Sequence, residues 1–207
     1  MKHITIIDYG SGNVLSAQKS FIKVLNENNT EARVLISKKL NDIKNSTHVV
    51  LPGQGAFATC MNGIKNTPGL IEELYDFAII KKKPFLGICV GMQMLATDSE
   101  ENGIHEGLNW IEGHIKALPS NNLKLPHMGW NNVKPTKKNN LIENSEDFYF
   151  VHSYYFKCKN EENILAETQY GINFSSIVVK ENIYGVQFHP EKSSSQGLKL
   201  IKNFVSK

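Results

Sequence analysis

The stretch Pro84–Gln93, with the sequence PFLGICVGMQ, is the most informative part of the chain. Phe85 to Ile88 predicts a short buried strand, because a continuous run of apolar and small residues after a proline is typical of a strand inside a sheet. Gly91 to Ala96 predicts a helix that follows almost at once. A buried strand that leads directly into a helix favours an α/β fold with a parallel sheet.

The residues before this stretch repeat the alternation of strands and helices. Strands are predicted at His3–Tyr9, Glu31–Ile36 and His48–Leu51. Apolar residues at helical spacing predict one helix from Val14 to Leu25 and another from Leu70 to Ala78. The predicted fold class is therefore α/β, with a mostly parallel, doubly wound sheet flanked by helices.

After residue 108 the pattern changes to short aromatic and β-branched runs separated by Asn- and Lys-rich turns such as Asn121-Asn122. These runs predict additional antiparallel strands that extend the sheet in the C-terminal half. They are Phe148–His152, Tyr154–Lys157, Ile177–Val179 and Tyr184–Phe188. Leu198, Ile201 and Val205 predict a final amphipathic helix. No long linker interrupts the 207 residues, so residues 1–207 are interpreted as a single domain.

Cys89 is the candidate nucleophile. It lies between a strand and a helix in Gly87-Ile-Cys89-Val-Gly91, which is the cysteine form of a nucleophile elbow. The glycines on both sides are expected to let the backbone bend and leave room for substrate. The start of a helix favours a thiolate. The backbone N–H of Val90 would point to where an oxyanion forms.

His189 and Glu191 are the candidate base and its orienting carboxylate, because a cysteine nucleophile needs both. In an extended chain, residues two apart point to the same side, so Glu191 is expected to hold the ring of His189. Pro190 would stiffen the backbone between them. No other histidine of the sequence has a carboxylate two residues later.

A second oxyanion donor is predicted in Pro52-Gly53-Gln54-Gly55, which follows the third strand. Glycines on both sides of Gln54 would allow its peptide bond to flip, so that the N–H of Gln54 turns towards the substrate. Gln93, four residues after Cys89, is expected to face the same pocket with its carboxamide, although a helix-surface position is the alternative.

The composition argues against nucleic acid and membranes. There are 23 basic and 20 acidic residues, a formal charge of +3, and Arg33 is the only arginine. Recognition of bases and phosphates favours arginine, so this balance is too mild for a nucleic-acid partner. The longest nearly apolar stretch, Phe85–Ala96, falls short of the roughly 18 residues that a membrane span needs.

Cofactor, metal and disulfide chemistry is also not predicted. Gly10-Ser-Gly12 follows the first strand, but Leu15 stands where a dinucleotide fingerprint has its third glycine. Cys60, Cys89 and Cys158 form an odd set with no metal-ligand spacing. The sequence therefore predicts a cytoplasmic protein with no metal and no cofactor.

Taken together, Gly87-Ile-Cys89-Val-Gly-Met-Gln93, Pro52-Gly-Gln-Gly55 and Gly185-Val-Gln-Phe-His189-Pro-Glu191 resemble the class I, or triad, glutamine amidotransferases. Three further segments resemble the glutaminase subunits of imidazole glycerol phosphate synthases, from histidine biosynthesis. They are Ile7-Asp-Tyr-Gly-Ser-Gly-Asn13, Pro126-His-Met-Gly-Trp-Asn131 and Tyr149-Phe-Val-His-Ser-Tyr154. Lys192 fits the same branch.

The resemblance implies that Cys89, His189 and Glu191 hydrolyse L-glutamine through a thioester on Cys89. It implies that seven further residues contact the substrate or its oxyanion. They are Gly53, Gln54, Gly55, Val90, Gln93, Ser153 and Tyr154. The ammonia would pass to a separate (β/α)₈-barrel synthase subunit in a heterodimer. The docking surface would include Trp130, Asn131, Tyr149 and Lys192, with Asn13 at its edge, although core packing is the alternative for Trp130.

Two other functions remain open on the sequence alone. Gln54 and Ser193-Ser194-Ser195 depart from the usual pattern, which leaves open a paralogous glutaminase subunit that supplies a sugar amidotransferase of surface-glycan synthesis; the histidine-pathway subunit is the leading hypothesis. A catalytically silent protein on the same scaffold is the second alternative, and the intact Cys89, His189 and Glu191 argue against it.

Overall fold

The computed structural model describes residues 1–120 and 123–207, so the predicted turn at Asn121-Asn122 lies outside the described residues. The first half contains strands β1–β4, at Lys2–Ile7, Ala32–Ser37, His48–Gly53 and Phe85–Cys89. Its helices α1–α5 are Val14–Glu27, Leu40–Lys44, Phe57–Lys65, Leu70–Tyr75 and Val90–Gln93, and a π-helix at Asp76–Ile80 continues α4.

The second half is mostly strand. Strands β5–β13 are Asp98–Ser99, His105–Glu106, Gly113–Ala117, His127–Pro135, Glu146–His152, Tyr154–Cys158, Ile164–Tyr170, Ile172–Lys180 and Ile183–Val186. The final helix, α6, is Ser194–Val205, and two 3₁₀ turns lie at Glu161–Asn163 and Pro190–Lys192.

Five strands form the parallel centre of the sheet, in the order β2-β1-β3-β4-β13. Strands β3 and β4 are buried along their whole length, as their apolar sequences require in a sheet covered on both faces. Helix α1 packs with α6, while α3 packs with α4 and α5. This arrangement confirms the predicted α/β class.

Antiparallel strands extend the sheet beyond β13, as predicted. β12 pairs with β13, β10 with β12, and β7 with β10. A branch of antiparallel strands, β11, β8 and β9, leaves from β12. The sheet thus reaches thirteen strands in the described residues without a break in pairing.

The sequence pattern underestimated several elements. Helices α2 and α3 and the strands β7, β8 and β11 are not predicted, because their sequences carry weak periodicity. The helix expected at Gly91–Ala96 is the single turn Val90–Gln93, so the helix-dipole argument for Cys89 loses most of its force. The predicted strand Tyr184–Phe188 ends at Val186.

The parallel pairing determines where a site can form. β3, β4 and β13 are neighbours and point the same way, so Gly53, Cys89 and the segment after Val186 meet at one edge of the sheet. In open α/β sheets this carboxyl edge is the usual position of a ligand site.

Candidate active site

Cys89 is the last residue of β4 and immediately precedes α5. Its backbone has φ +54° and ψ −113°, a sparsely populated conformation for a residue with a side chain. The bend therefore occurs at the cysteine itself and not at the flanking glycines. Strain of this kind persists where the surrounding structure enforces it, commonly at functional sites.

The glycines of the elbow are needed for close packing. A Cβ on Gly91 would lie 1.8 Å from the carbonyl oxygen of Leu51 in β3. A Cβ on Gly53 would lie 2.5 Å from the backbone nitrogen of Gly91. Only glycine allows α5 to sit against β3 this tightly, and this packing brings the backbone of Gly53 beside the elbow.

His189 and Glu191 contact each other in a buried position. Nδ1 of His189 lies 2.9 Å from Oε1 of Glu191, and the two side chains are only 5% and 3% exposed. The expected contact is present, but the extended-chain reason for it is wrong, because Pro190–Lys192 forms a 3₁₀ turn. The turn begins with proline, which favours the first position of a helical turn.

The electrostatic environment of His189 favours its charged form. Burial by itself lowers the pKa of this ring, but interactions with the Cys89 sulfur and the Glu191 carboxylate outweigh it and raise the pKa to about 10. Because Glu191 occupies Nδ1, Nε2 is the ring atom available to Cys89. Nε2 makes no fully formed hydrogen bond among the described residues, so it is free to approach a substrate.

Two buried carboxamides connect Cys89 to β10. Gln187 donates from Nε2 to the sulfur of Cys89 at 3.8 Å. Gln93 donates from Nε2 to Oε1 of Gln187 at 3.0 Å and to the Tyr154 carbonyl at 3.1 Å. These bonds fix the orientation of both amides, so that an N–H of Gln187 faces the sulfur and stabilises negative charge there.

The oxyanion segment is held from behind by the loop after β1. Tyr9 donates from its hydroxyl to the Pro52 carbonyl at 2.6 Å. Ser11 donates from Oγ to the Gln54 carbonyl at 2.6 Å, and the Cys60 thiol lies 3.5 Å from the same oxygen. Carbonyls on both sides of the Gly53–Gln54 peptide are therefore fixed.

Val90 supplies the other predicted oxyanion donor. It is the first residue of α5, so its backbone N–H has no acceptor within the helix. It directly follows the nucleophile, which is the usual place for this donor in an elbow.

A cavity of about 290 Å³ opens at Cys89 and His189. Most of the predicted binding residues line it, namely Gln54, Gly55, Val90, Gln93, Ser153 and Tyr154. Gly53 is buried in β3 and does not. Glu101 and Lys192 bring opposite charges to the wall, which suits a small zwitterionic ligand.

A larger groove of about 640 Å³ lies between β8, β11 and β12. Its lining is polar and contains no cysteine or histidine. The chemistry therefore favours the smaller cavity as the active site.

The predicted docking residues lie next to this cavity. Trp130 is 54% exposed, so the alternative of core packing is wrong for it. It packs edge-on against Tyr149 across β8 and β9, with ring centroids 6.2 Å apart. The Tyr149 carbonyl accepts a hydrogen bond from the backbone N–H of His189, and Lys192 is part of the cavity wall.

Asn131 and Asn13 border this region in different ways. Asn131 follows Trp130 in β8, and its side chain bonds His127 and the Gln169 carbonyl. Asn13 precedes α1, two residues after Ser11, and so adjoins the loop that holds Gln54.

Comparison with known proteins decides the family. The sequence profile described as "Glutamine amidotransferase class-I" matches residues 5–207. The chain belongs to the class I glutamine amidotransferases. It is 40% identical over 208 residues to the "Imidazole glycerol phosphate synthase subunit HisH" of Rhodospirillum rubrum, covering 98% of this chain and 97% of that protein. It is 43% identical to the protein of the same name from Pelagibacter ubique, covering 99% of both.

A solved structure titled "Crystal structure of glutamine amidotransferase" shares the fold of this amidotransferase. The TM-score is 0.72 at 16% identity, over 98% of this chain and 97% of the other. Identity at this level supports the architecture alone. The HisH proteins, in contrast, match along nearly the whole chain and identify the branch of the family to which this sequence belongs.

Sequence reasoning missed three groups that this amidotransferase places around Cys89. Gln187 could have been found, because it lies two residues before His189 in a strand-like run and so shares its side. Glu101 had no motif, and its carboxylate accepts from the backbone N–H of Phe57 at 2.7 Å while facing the cavity. His152 lines the cavity but has no carboxylate two residues later, so the pattern that identifies His189 does not identify it.

Two further negative observations concern the described residues. No group of three or more His, Cys, Asp and Glu side chains is arranged to hold a metal ion in residues 1–120 and 123–207. No helix in that part of the chain has the length and apolar character to cross a membrane.

Proposed function

We propose that this chain hydrolyses L-glutamine to glutamate and ammonia. The observation that carries the proposal is the strained Cys89 at the carboxyl edge of the sheet, in one cavity with the buried His189–Glu191 pair. The cavity is at the small end of ligand sites, which span about 300–1,000 Å³. Glu101 and Lys192 would bind the α-ammonium and α-carboxylate groups of glutamine.

The reaction begins with attack of the Cys89 thiolate on the side-chain amide carbon of glutamine. The N–H groups of Val90 and Gln54 stabilise the oxyanion. His189, protonated at neutral pH because of its raised pKa, gives its proton to the leaving nitrogen. Ammonia departs and a γ-glutamyl thioester remains on Cys89.

Water then hydrolyses the thioester. His189, now neutral, takes a proton from the water while the hydroxide forms a bond to the thioester carbon. The C–S bond breaks and returns the thiolate with glutamate as product. Glu191 orients the ring throughout and stabilises its positive charge.

The ammonia passes to a separate (β/α)₈-barrel synthase subunit, which forms imidazole glycerol phosphate and an aminoimidazole carboxamide ribonucleotide in histidine biosynthesis. Support comes from the HisH names of relatives that match 98–99% of the chain. Supply of a sugar amidotransferase is less favoured, because these relatives carry the synthase name. The exposed Trp130, packed on the half-buried Tyr149 beside the cavity, suits the docking of such a subunit.

The test is co-expression with the barrel subunit encoded in the same genome. We expect the two chains to co-purify as a heterodimer and to make imidazole glycerol phosphate from glutamine. A complex that hydrolyses glutamine without transferring its nitrogen to the ribonucleotide acceptor would contradict the histidine-pathway assignment. A chain that does not hydrolyse glutamine under either condition would contradict the glutaminase assignment.

The partner is also expected to raise the glutaminase rate. If the resting Gly53–Gln54 peptide turns its carbonyl to the substrate, one oxyanion donor is missing, which costs about 10²–10³ in rate. Docking at Trp130 and Tyr149 would favour the N–H-in state. The measurement compares the rate of the isolated chain with that of the complex, and with a complex of the Trp130→Ala, Tyr149→Ala variant. A rate unchanged by the partner would contradict this gating.

A further inference from the structure

A line of hydrogen bonds runs from the surface of β8 into the active site. Asn131 bonds His127 (Nδ2 to Nε2, 3.1 Å), and His127 bonds His152 (Nδ1 to Nε2, 2.9 Å). His152 then bonds the Tyr154 carbonyl from Nδ1 at 2.8 Å. The same carbonyl accepts from Gln93, which leads through Gln187 to Cys89.

The direction of every bond follows from its two ends. At the surface, Oδ1 of Asn131 accepts from the backbone N–H of Asn132 at 2.8 Å, and Nδ2 donates to the Gln169 carbonyl at 3.0 Å. The group that faces His127 is therefore an NH₂, which can only donate, so Nε2 of His127 must accept.

The inner end requires the same direction. The Tyr154 carbonyl can only accept, so Nδ1 of His152 must carry a proton. A neutral ring with Nδ1–H has an unprotonated Nε2, and that atom must accept from Nδ1–H of His127. Both ends thus assign both rings to the Nδ1–H tautomer without conflict.

The packing holds the rings in the required planes. His127 is stacked between Tyr170 and Phe150, with centroid distances of 4.0 Å and 4.9 Å. This apolar burial lowers the pKa of His127 to about 4. Burial, together with the neighbouring His127 and His189, lowers the pKa of His152 to about 3. Both rings are consequently neutral at pH 7, as a relay with one N–H per ring requires.

We propose that Asn131, His127 and His152 form a one-way hydrogen-bond relay that positions the Tyr154 carbonyl and, through Gln93 and Gln187, the sulfur of Cys89. These three are positioning residues, since none of them bonds the reacting sulfur. Asn131 follows Trp130 in β8 with its side chain on the opposite face of the strand, so the relay begins directly behind the proposed docking residue. Its catalytic consequence rests on the proposed glutaminase function, whereas its tautomers do not.

The first experiment measures the tautomers by long-range ¹⁵N–¹H NMR of the histidine-labelled chain at pH 7. We expect protonated Nδ1 and unprotonated Nε2 in both His127 and His152. An Nε2–H tautomer or an imidazolium at either ring would overturn the relay, whatever the glutaminase activity is. This arm needs no variant and no substrate.

The second experiment reverses the outer donor with Asn131→Asp. A carboxylate cannot donate to Nε2 of His127, so we expect that ring to switch to Nε2–H and the support of Tyr154 to weaken. Glutaminase kcat should fall about tenfold, with KM changed by less than about threefold. Asn173→Asp is the matched control, because it makes the same charge change at an exposed residue of the neighbouring groove, outside the relay. Unchanged tautomers and kcat in Asn131→Asp would overturn the proposal.

A third variant pair separates the two bonds of His152. The side chain introduced by His152→Asn can still donate to the Tyr154 carbonyl, whereas the one introduced by His152→Phe cannot. We expect His152→Asn to retain several times more kcat than His152→Phe. Equal losses, with both proteins folded by circular dichroism, would mean that the bond to Tyr154 has no positioning role. A wild-type chain with the predicted tautomers but no glutaminase activity would contradict the proposed function and leave the relay geometry intact.

Discussion

Two buried histidines border the same cavity and have opposite electrostatic environments. His189, beside the parallel centre of the sheet, has its pKa raised to about 10, whereas His152, on antiparallel β9, has its pKa lowered to about 3. Burial lowers the pKa of both rings. The difference is the partner, because His189 faces a carboxylate and a sulfur while His152 faces another neutral ring and a carbonyl.

This contrast separates the two tasks of the site. His189 lies next to the nucleophile and can move a proton, whereas His152 reaches the sulfur only through Tyr154, Gln93 and Gln187 and can orient these groups. The parallel strands therefore carry the chemistry, and the antiparallel extension supports it from behind through Tyr154 and Gln93.

The largest expected effect comes from removing the sulfur that helps to raise the pKa of His189. Cys89→Ala should lower glutamine hydrolysis by about 10⁴-fold or more, because a covalent nucleophile in a triad contributes several orders of magnitude. It should also lower the pKa of His189, measured by NMR titration, and so make this ring more like His152.

Cys158→Ser is the matched control for that variant. Burial raises the pKa of the Cys158 thiol to about 11, so this cysteine is not expected to act as a nucleophile. A glutamine-analogue electrophile should label Cys89 and spare Cys60 and Cys158 in peptide mass spectrometry. Near-normal activity of Cys89→Ala would contradict the assignment of the nucleophile.

A smaller effect is expected when only the carboxylate partner is removed. Glu191→Gln should lower the pKa of His189 and reduce glutaminase activity. The loss of activity should be roughly 10- to 100-fold smaller than the loss in His189→Ala, because Glu191 orients the ring but does not transfer the proton. Both variants are to be assayed with partner and acceptor substrate present. Equal or reversed losses would mean that another residue moves the proton.

Much of the fold was accessible from the sequence, because its central strands are long apolar runs with clear boundaries. The run Phe85–Ile88 predicted β4 to within one residue of Phe85–Cys89. The antiparallel strands were harder to predict. β8, at His127–Pro135, alternates regularly between a buried and an exposed face, but its exposed face carries the apolar Met128 and Trp130, so the apolar residues in its sequence do not reveal the alternation.

The predicted catalytic residues lie together in the structure, but less of their geometry could be predicted. Local motifs identify Cys89, His189 and Glu191, because an elbow and a His-Pro-Glu run each lie within a few residues. The relay from Asn131 to Tyr154 could not be predicted, since its members come together only through the pairing of β8 with β9. The role of Ser11 depends in the same way on a contact with the distant Gln54.

The smallest effect is expected in the stability of the protein at mildly acidic pH. His152 and His127 have pKa values lowered to about 3 and 4 in the folded chain, from an ordinary value of 6.5. Below pH 6.5 the unfolded chain therefore binds protons that the folded chain does not. The free energy of unfolding is therefore highest above pH 6.5 as far as these two rings are concerned. It falls as the pH is lowered, by up to about 1.4 kcal/mol per pH unit for each ring.

Urea unfolding between pH 5.5 and 7.5 measures this slope above the range in which most surface carboxylates titrate. His152→Phe keeps an aromatic ring but cannot bind a proton. It should reduce the pH dependence of the free energy of unfolding by the contribution of one histidine. His48→Phe is an informative comparison, because burial lowers the pKa of His48 to about 4 against Phe204, far from the cavity. His189 should act in the opposite sense, since a raised pKa stabilises the fold at low pH and loses that effect as the pH rises towards 10. A slope equal to the wild-type slope in His152→Phe would mean that this ring is already charged in the folded chain, and the contrast with His189 would then be wrong.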